Sequence, residues 1–138
     1  METVSVSRTF DSPPDAVREV ILADVPAFIR ASGFDSVLID GEEITVSREI
    51  GIATFELTLE ERESNHLLAF DQTAGLFERM WTDYRLEATD TGSKLTATTE
   101  FTIGGVLAPV LDGTMIHKQR TREFELQFDY VAEQLASE

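Results

Sequence analysis

The stretch "YRLEATDTGSKLTATTEF", residues Tyr84–Phe101, contains two alternating segments on either side of a glycine turn. A period of two in apolar and polar residues is typical of a β-strand with one buried face. The five turn residues, "TDTGS", are too few for a crossover, so the two segments are predicted to pair antiparallel. Leu95 and Ala97 are predicted to face inward, and Thr96 and Thr98 to face solvent. The stretch therefore predicts a long hairpin with one apolar face and one wet face.

The same pattern extends upstream, where short turns at "DGEE", "IGI", "ESNH" and "TAG" separate further strands up to Gly104. Links this short favour antiparallel neighbours. An alternating strand, Thr3–Asp11, opens the chain, and two short helices are predicted after it, over Pro14–Leu22 and Pro26–Ala31. Residues Val106–Ala136 are predicted to form one long helix, irregular near Pro109 and Gly113. The order is one strand, two short helices, six strands and a closing helix.

This order resembles the START/Bet v 1-like superfamily, also called SRPBCC or the helix-grip fold. "VSRTFDSPPDAVREVILAD" is similar to the opening of that superfamily, and Tyr84–Phe101 is similar to its penultimate hairpin. The resemblance covers essentially the whole chain. It implies an α+β fold in which a curved seven-stranded antiparallel sheet wraps around a long C-terminal helix, with two short helices after strand 1. Residues 1–138 are expected to form a single domain.

The members that this chain resembles are called polyketide cyclase/dehydrase-like proteins or coenzyme Q-binding START proteins, and some are similar to a subunit of carbon monoxide dehydrogenase. The resemblance implies an apolar cavity for a lipid, isoprenoid, quinone or polyketide-like molecule. It implies no universal catalytic residue, and fold analogy by itself does not establish an activity.

The charge balance is strongly acidic, with 26 Asp and Glu against 11 Lys and Arg and a net charge of −15. Such a chain has no basic face to neutralise phosphates, so nucleic-acid binding is not expected. The acids are spread along the chain, and Lys94 and Lys118 are the only lysines. This composition resembles that of proteins from salt-accumulating microbes, which gives the hypothesis of a halophilic origin. An ordinary acidic protein is the alternative.

The N-terminus, the longest apolar run and the absence of cysteine in the sequence indicate where in the cell the protein is expected. The N-terminus "METVSVSRTF" alternates as a strand and lacks the features of a signal peptide. The longest apolar run, "IGGVLAPVL", is about half of the ~20 residues that a membrane-spanning helix requires. The chain has no cysteine, so no disulfide is available. We therefore expect a cytoplasmic protein without a membrane span.

The sequence carries no pattern for a metal or a cofactor. The two histidines, His66 and His117, lie far apart and form no H-x-x-x-H motif. No glycine-rich loop for phosphates is present. Ser93 follows a glycine in a hairpin turn, which favours a role in the turn over one as a nucleophile. We therefore predict no metal and no cofactor.

The predicted closing helix carries one candidate inward face. Steps of four and three residues back from the tail connect an apolar C-terminal half with a polar middle formed by Thr121, His117 and Thr114. On this face His117 is either a general base, an orienting group for the polar end of a ligand, or a half-buried histidine with a structural hydrogen bond. An irregular turn at Gly113 would rotate His117 outward.

The inward stripes together define a candidate ligand site. Arg8 and Arg48 either meet Glu78 or the polar end of a ligand inside, or they extend their charged tips to water. The predicted lining combines aromatic and aliphatic residues with a few polar ones: Phe55, Phe70, Met80, Tyr84, Phe101, Thr114, His117, Thr121, Phe124, Phe128 and Arg48.

Three functions fit these patterns. The first is binding or transport of a small hydrophobic ligand, which makes the protein a carrier more readily than an enzyme. The second is a cyclase or dehydrase that uses His117 as general base, with Tyr84 or Arg48 polarising a carbonyl. The third is a module that docks a protein partner or forms a homodimer, which an exposed apolar patch around Phe77 and Trp81 would support. Trp81 either contacts a partner, covers the rim of the cavity or packs on the surface beside Arg79 or Arg85.

Overall fold

The computed structural model describes residues 2–50, 53–62, 66–75, 77–103 and 113–137. Seven strands and three helices follow the predicted order. They are β1 Glu2–Phe10, α1 Pro14–Ala23, α2 Val25–Arg30, β2 Ser36–Asp40, β3 Glu43–Ile50, β4 Ala53–Glu61, β5 Leu68–Gly75, β6 Phe77–Ala88, β7 Ser93–Ile103 and α3 Gly113–Ala136. The predicted start of the closing helix, near Val106, lies outside the described residues.

The strands form one antiparallel sheet in the order β1-β7-β6-β5-β4-β3-β2. Because β1 pairs with β7, the first and last strands of the chain are neighbours. The predicted hairpin is the pair β6 and β7, whose register joins Tyr84 to Ala97 and Ala88 to Ser93. The sheet therefore confirms the predicted seven strands and places β1 beside β7 and in contact with α3.

The predicted alternation of the hairpin is confirmed. Leu95, Ala97 and Phe101 are fully buried on the inner face of β7, while Thr96 and Thr98 are partly exposed on the other face. Phe124 and Phe128 of α3 are fully buried in the same core. Burial of one such aromatic side chain contributes roughly 1.5–3 kcal/mol to folding. The core lies between the inner face of the sheet and α3.

The turn of this hairpin packs against the turn between β1 and α1. Ser93 Oγ donates a 2.8 Å hydrogen bond to the carbonyl of Ser12. Gly92 lies so close to β1 that an added Cβ would approach the carbonyl oxygen of Phe10 to 2.1 Å. Ser93 is therefore the first residue of β7, directly after the turn, and its hydroxyl joins the two turns.

Candidate functional site

The inner face of α3 differs from the predicted one in its N-terminal half. Phe124, Phe128 and Val131 point into the core as expected, but Thr114 and His117 are exposed. Thr121 is half-buried, and its hydroxyl donates to the carbonyl of His117 at 2.8 Å. The prediction that Thr114 and His117 line the interior is therefore wrong.

The physical reason is the polarity of two inner residues. The inner positions in this half are Ile116, Arg120 and Glu123, which also follow steps of four and three residues but lie one position before the predicted stripe. Adjacent residues of an α-helix differ by about 100° in direction, so a stripe shifted by one residue faces another way. Arg120 and Glu123 are charged, and only their mutual pairing makes their burial favourable. The enzyme hypothesis loses its general base, because His117 does not face the interior.

The remaining predicted lining residues are mostly brought together. Side chains of the inner face of β5, β6 and β7 and of α3 are buried in one core: Phe70, Met80, Tyr84, Phe101, Phe124 and Phe128. The side chain of Phe55 lies outside the described residues. Arg48 points toward the same interior with 21% of its side chain exposed. The sheet and α3 thus form a mainly aromatic and aliphatic interior.

A charged cluster lies inside this mainly apolar interior. Glu123, with 3% of its side chain exposed, accepts a 3.0 Å hydrogen bond from Arg48 Nη2. It also accepts from Arg120 Nη1 and, at 3.2 Å, from Gln119 Nε2. We call Arg48, Arg120 and Glu123 the interior charge cluster. Arg48 therefore pairs with α3, and the predicted alternative of a pair with Glu78 is wrong, because Glu78 is exposed.

The interior charge cluster is tied to the sheet through a hydroxyl. Arg120 Nη2 donates to Thr82 Oγ1 at 2.9 Å. Thr82 in turn donates to Thr99 Oγ1 at 3.1 Å, and Thr99 donates to the carbonyl of Trp81 at 2.8 Å. The guanidinium of Arg120 lies over the ring of Phe124, 4.8 Å from its centroid. These contacts fix the position of the Arg120 side chain against β6.

Two guanidinium groups of the cluster have unused donors. Arg48 Nε and Arg120 Nε are buried and make no hydrogen bond within the part of the chain that the structure describes. Leaving such a buried donor unsatisfied costs about 1–3 kcal/mol. The interior therefore contains two buried N–H donors without an acceptor in the described part of the chain.

A second polar pair lies beside the cluster. Tyr84 Oη donates to Gln127 Oε1 at 2.7 Å, and Gln127 Nε2 donates to the carbonyl of Phe28 at 3.3 Å. Burial raises the pKa of Tyr84 above the ordinary value of a tyrosine, an effect that the nearby Arg120 guanidinium partly offsets. Tyr84 therefore stays protonated and acts as a donor, not as a base.

A small cavity of about 20 Å³ is lined by these polar groups on one side and by apolar side chains on the other. Arg120, Tyr84, Gln127 and Thr82 form its polar side, and the apolar side includes Phe34, Leu57, Leu59, Phe70 and Met80. A space of this size holds about one water molecule or one polar end group.

A second, more open pocket of about 200 Å³ lies beside Val25, Ile39 and Ile44, and Phe70 contributes to its lining too. Phe70 thus lines both spaces.

The other histidine forms a pair that no sequence pattern indicated. His66 Nδ1 lies 2.5 Å from Oδ2 of the buried Asp83, on the side of β6 opposite Tyr84. Arg18 and Arg85 line a pocket of about 250 Å³ beside His66. Only the pairing of β5 with β6 brings His66 to Asp83, because the two residues are 17 positions apart in sequence.

Two other expectations concern the surface. Arg8 pairs with Asp129 at 2.7 Å and remains a third exposed, so it does not enter the interior. Phe77 is buried against Phe101, with ring centroids 5.1 Å apart, and Trp81 is half-buried beside the guanidinium of Arg62. Phe77 and Trp81 therefore do not form the exposed apolar patch that would support a docking module.

The described part of the chain contains no cluster of three or more His, Cys, Asp or Glu side chains able to hold a metal ion. Within the same residues, no helix has both the length and the apolar character needed to cross a membrane.

Known structures share this fold over the whole chain. A protein from Thermus thermophilus superposes with a TM-score of 0.74 at 14% identity, covering 99% of this chain and 98% of that one. The Zhui aromatase/cyclase from a Streptomyces species gives a TM-score of 0.70 at 17% identity, with coverages of 98% and 93%. A START superfamily protein from Mycobacterium smegmatis gives 0.72 at 9% identity, with coverages of 98% and 97%. At identities this low, the likeness establishes the fold alone.

Sequence comparison is more specific. No curated protein matches the sequence. The family described as polyketide cyclase/dehydrase and lipid transport, however, matches residues 1–136. Because that match spans nearly the whole chain, the protein belongs to the polyketide cyclase/dehydrase and lipid transport family and has the helix-grip fold of the START/Bet v 1 superfamily.

Proposed function

We propose that this protein binds a small molecule with an apolar body and one polar end, in the interior between the sheet and α3. The observation that carries the proposal is the small cavity with one polar and one apolar side. Arg120, Tyr84 and Gln127 form the polar side, and Arg120 Nε is buried without a hydrogen-bond partner among the described residues. A core that only had to be stable would rarely bury such groups without full pairing.

The apolar body of the ligand requires more room than the cavity of about 20 Å³ provides. The open pocket of about 200 Å³ lies beyond Phe70 and is lined by Val25, Ile39 and Ile44. Phe70 lines both spaces, and we propose that a movement of its side chain joins them. The flexible side chain of Met80, which also lines the cavity, adapts easily to a new neighbour. We infer that the polar end lies in the cavity and the body extends past Phe70.

Family membership agrees with this proposal, since the family description includes lipid transport. The same description includes cyclases, and one structural neighbour is an aromatase/cyclase. Tyr84 is a protonated donor and His117 is exposed, so this interior favours holding a ligand over removing a proton from it. We therefore propose a binding or transport role.

The test is a titration of 1-decanol and decanoate by calorimetry, with the wild type and a cavity-filling variant. Leu59→Phe adds volume at the cavity wall, so it should weaken binding of both probes by about tenfold or more. Leu38→Phe makes the same change on a side chain that is 66% exposed, and its affinities should equal those of the wild type. Thermal unfolding of each variant checks that it is folded.

Two results would contradict the proposal. One is the absence of binding of either probe to the wild type. The other is equal affinities in folded Leu59→Phe and Leu38→Phe, because that result would place the bound probe away from the cavity.

A further inference from the structure

The net charge of the interior charge cluster indicates which polar end the ligand carries. Arg48 and Arg120 bring two positive charges, and Glu123 brings one negative charge. The uncharged polar neighbours are Gln119, Thr82, Tyr84 and Gln127. Among the described residues, Glu123 is the only acid that pairs with either arginine. One positive charge therefore remains uncompensated in a largely buried position.

An uncompensated charge in this environment is unfavourable, because removing an ion from water costs several kcal/mol unless an opposite charge meets it. The rest of the protein is strongly acidic, with a net charge of −15, yet no second acid is directed at the cluster within the described residues. A neutral acceptor would accept a hydrogen bond from an unused donor but would leave the positive charge of the cluster uncompensated. An anionic oxygen would accept the hydrogen bond and also compensate the charge.

The two arginines also carry donors without an acceptor. Arg48 Nε and Arg120 Nε are buried without an acceptor in the described part of the chain, and Arg120 lines the cavity. Guanidinium groups bind carboxylates in a planar arrangement with charge-assisted hydrogen bonds. The cavity of about 20 Å³ suits the small, singly charged end of such a molecule.

We propose that the polar end of the ligand is a carboxylate, held by Arg120 with support from Arg48, so that the ligand is a small apolar carboxylic acid. This inference rests on the proposed function. Glu42 and Glu61 line the open pocket, and their negative charges would repel an acid there. The proposed preference for a carboxylate therefore arises at the interior charge cluster and not in the open pocket.

The test compares decanoate with 1-decanol at about pH 8 in 1 M KCl, where the screening length is roughly 3 Å and surface charges contribute little. The wild type should bind decanoate about ten- to a hundredfold more tightly than 1-decanol, the range of one charge-assisted hydrogen bond. Arg120→Gln should remove most of this preference and leave the affinity for 1-decanol nearly unchanged. Arg79→Gln, an exposed arginine on β6, is the matched control and should keep the preference.

A second variant keeps the test informative if Arg120→Gln does not fold. Arg48→Gln should reduce the preference for decanoate by a smaller factor, and its fold is checked by thermal unfolding. Equal binding of the two probes by the wild type, or a preference unchanged in both folded variants, would overturn the carboxylate proposal and leave ligand binding intact. Binding of neither probe would overturn the proposed function as well.

Discussion

The phenol of Tyr84 donates a 2.7 Å hydrogen bond to Gln127 Oε1, which joins the middle of the sheet to the inner face of α3. Gln127 continues the link, because its amide nitrogen donates to the carbonyl of Phe28 at the other side of the core. The Tyr84 ring also packs edge-on against Phe28, with centroids 5.1 Å apart. One buried amide therefore connects β6, α3 and α2.

Replacing Gln127 by leucine should lower the free energy of unfolding by about 2–4 kcal/mol, since it leaves the Tyr84 hydroxyl and the Phe28 carbonyl buried without partners. Chemical denaturation with urea measures this change. The exposed His117 provides the control, because His117→Ala should stay within about 0.5 kcal/mol of the wild type. A loss for Gln127→Leu no larger than that of His117→Ala would contradict the role assigned to Gln127.

Stability should fall at alkaline pH because of Tyr84. Burial raises the pKa of Tyr84 above its ordinary value of 10.0, so the folded state holds this proton more tightly than the unfolded chain does. The resulting contribution of Tyr84 to the free energy of unfolding is complete below pH 10.0 and is lost as the pH rises above that value. The free energy of unfolding should then fall by up to about 1.4 kcal/mol per pH unit. Urea unfolding between about pH 9 and about pH 11 measures the slope.

Tyr84→Phe should flatten this alkaline slope. Tyr130→Phe alters the other of the two tyrosines, and it should keep most of the slope because Tyr130 is only partly buried. Identical slopes in the wild type and in Tyr84→Phe would show that another group controls alkaline stability.

Gly92→Ala should destabilise the hairpin that identifies the fold. The added Cβ would lie 2.1 Å from the carbonyl oxygen of Phe10 and 2.8 Å from the carbonyl carbon of Asp11, and both are backbone atoms that cannot rotate away. We expect the free energy of unfolding to fall by about 2 kcal/mol or more, which is in the upper part of the range for overpacked substitutions. Thr91→Ala at the exposed neighbouring position is the control, and a similar midpoint of thermal unfolding for both variants would rule out the close approach.

Salt should stabilise the protein. With a net charge of −15, repulsion between acids opposes folding in dilute buffer, and at about 1 M KCl the screening length falls to roughly 3 Å. The midpoint of thermal unfolding should therefore rise between low and molar KCl. Replacing the exposed Glu56 and Glu60 by lysine should reduce the rise, whereas a midpoint independent of salt would remove the basis for the halophile hypothesis.

Much of the fold was predictable from local patterns. The strands alternate with a period of two, so Leu95, Ala97 and Phe101 fall on one face without any knowledge of the partner strand. Proline, glycine and the short turns marked the ends of the elements, which gave the order of strands and helices and the resemblance to the helix-grip fold. These features depend only on neighbours in sequence.

The candidate site was predictable only in part. Phe70, Met80, Tyr84, Phe124 and Phe128 were predicted to face inward and do so, because apolar residues on a periodic stripe are buried wherever the stripe packs. Arg120, Glu123 and Gln127 were missed, although with Ile116 they follow steps of three and four residues along α3. Their polarity marked them as solvent-facing, and only their mutual pairing makes their burial favourable.

The sequence by itself determined the architecture, the apolar interior and the acidic surface, because each follows from composition or from a period of a few residues. Only the tertiary structure decided which face of α3 turns inward and which charge Arg48 meets. Arg48 and Glu123 are 75 positions apart, and their contact exists because the curved sheet brings β3 to α3. The predicted and the observed inward stripes of α3 have the same spacing and differ by one residue, so the inward face is set by packing against the sheet and not by the local pattern. That packing places Arg120, instead of His117, beside the cavity.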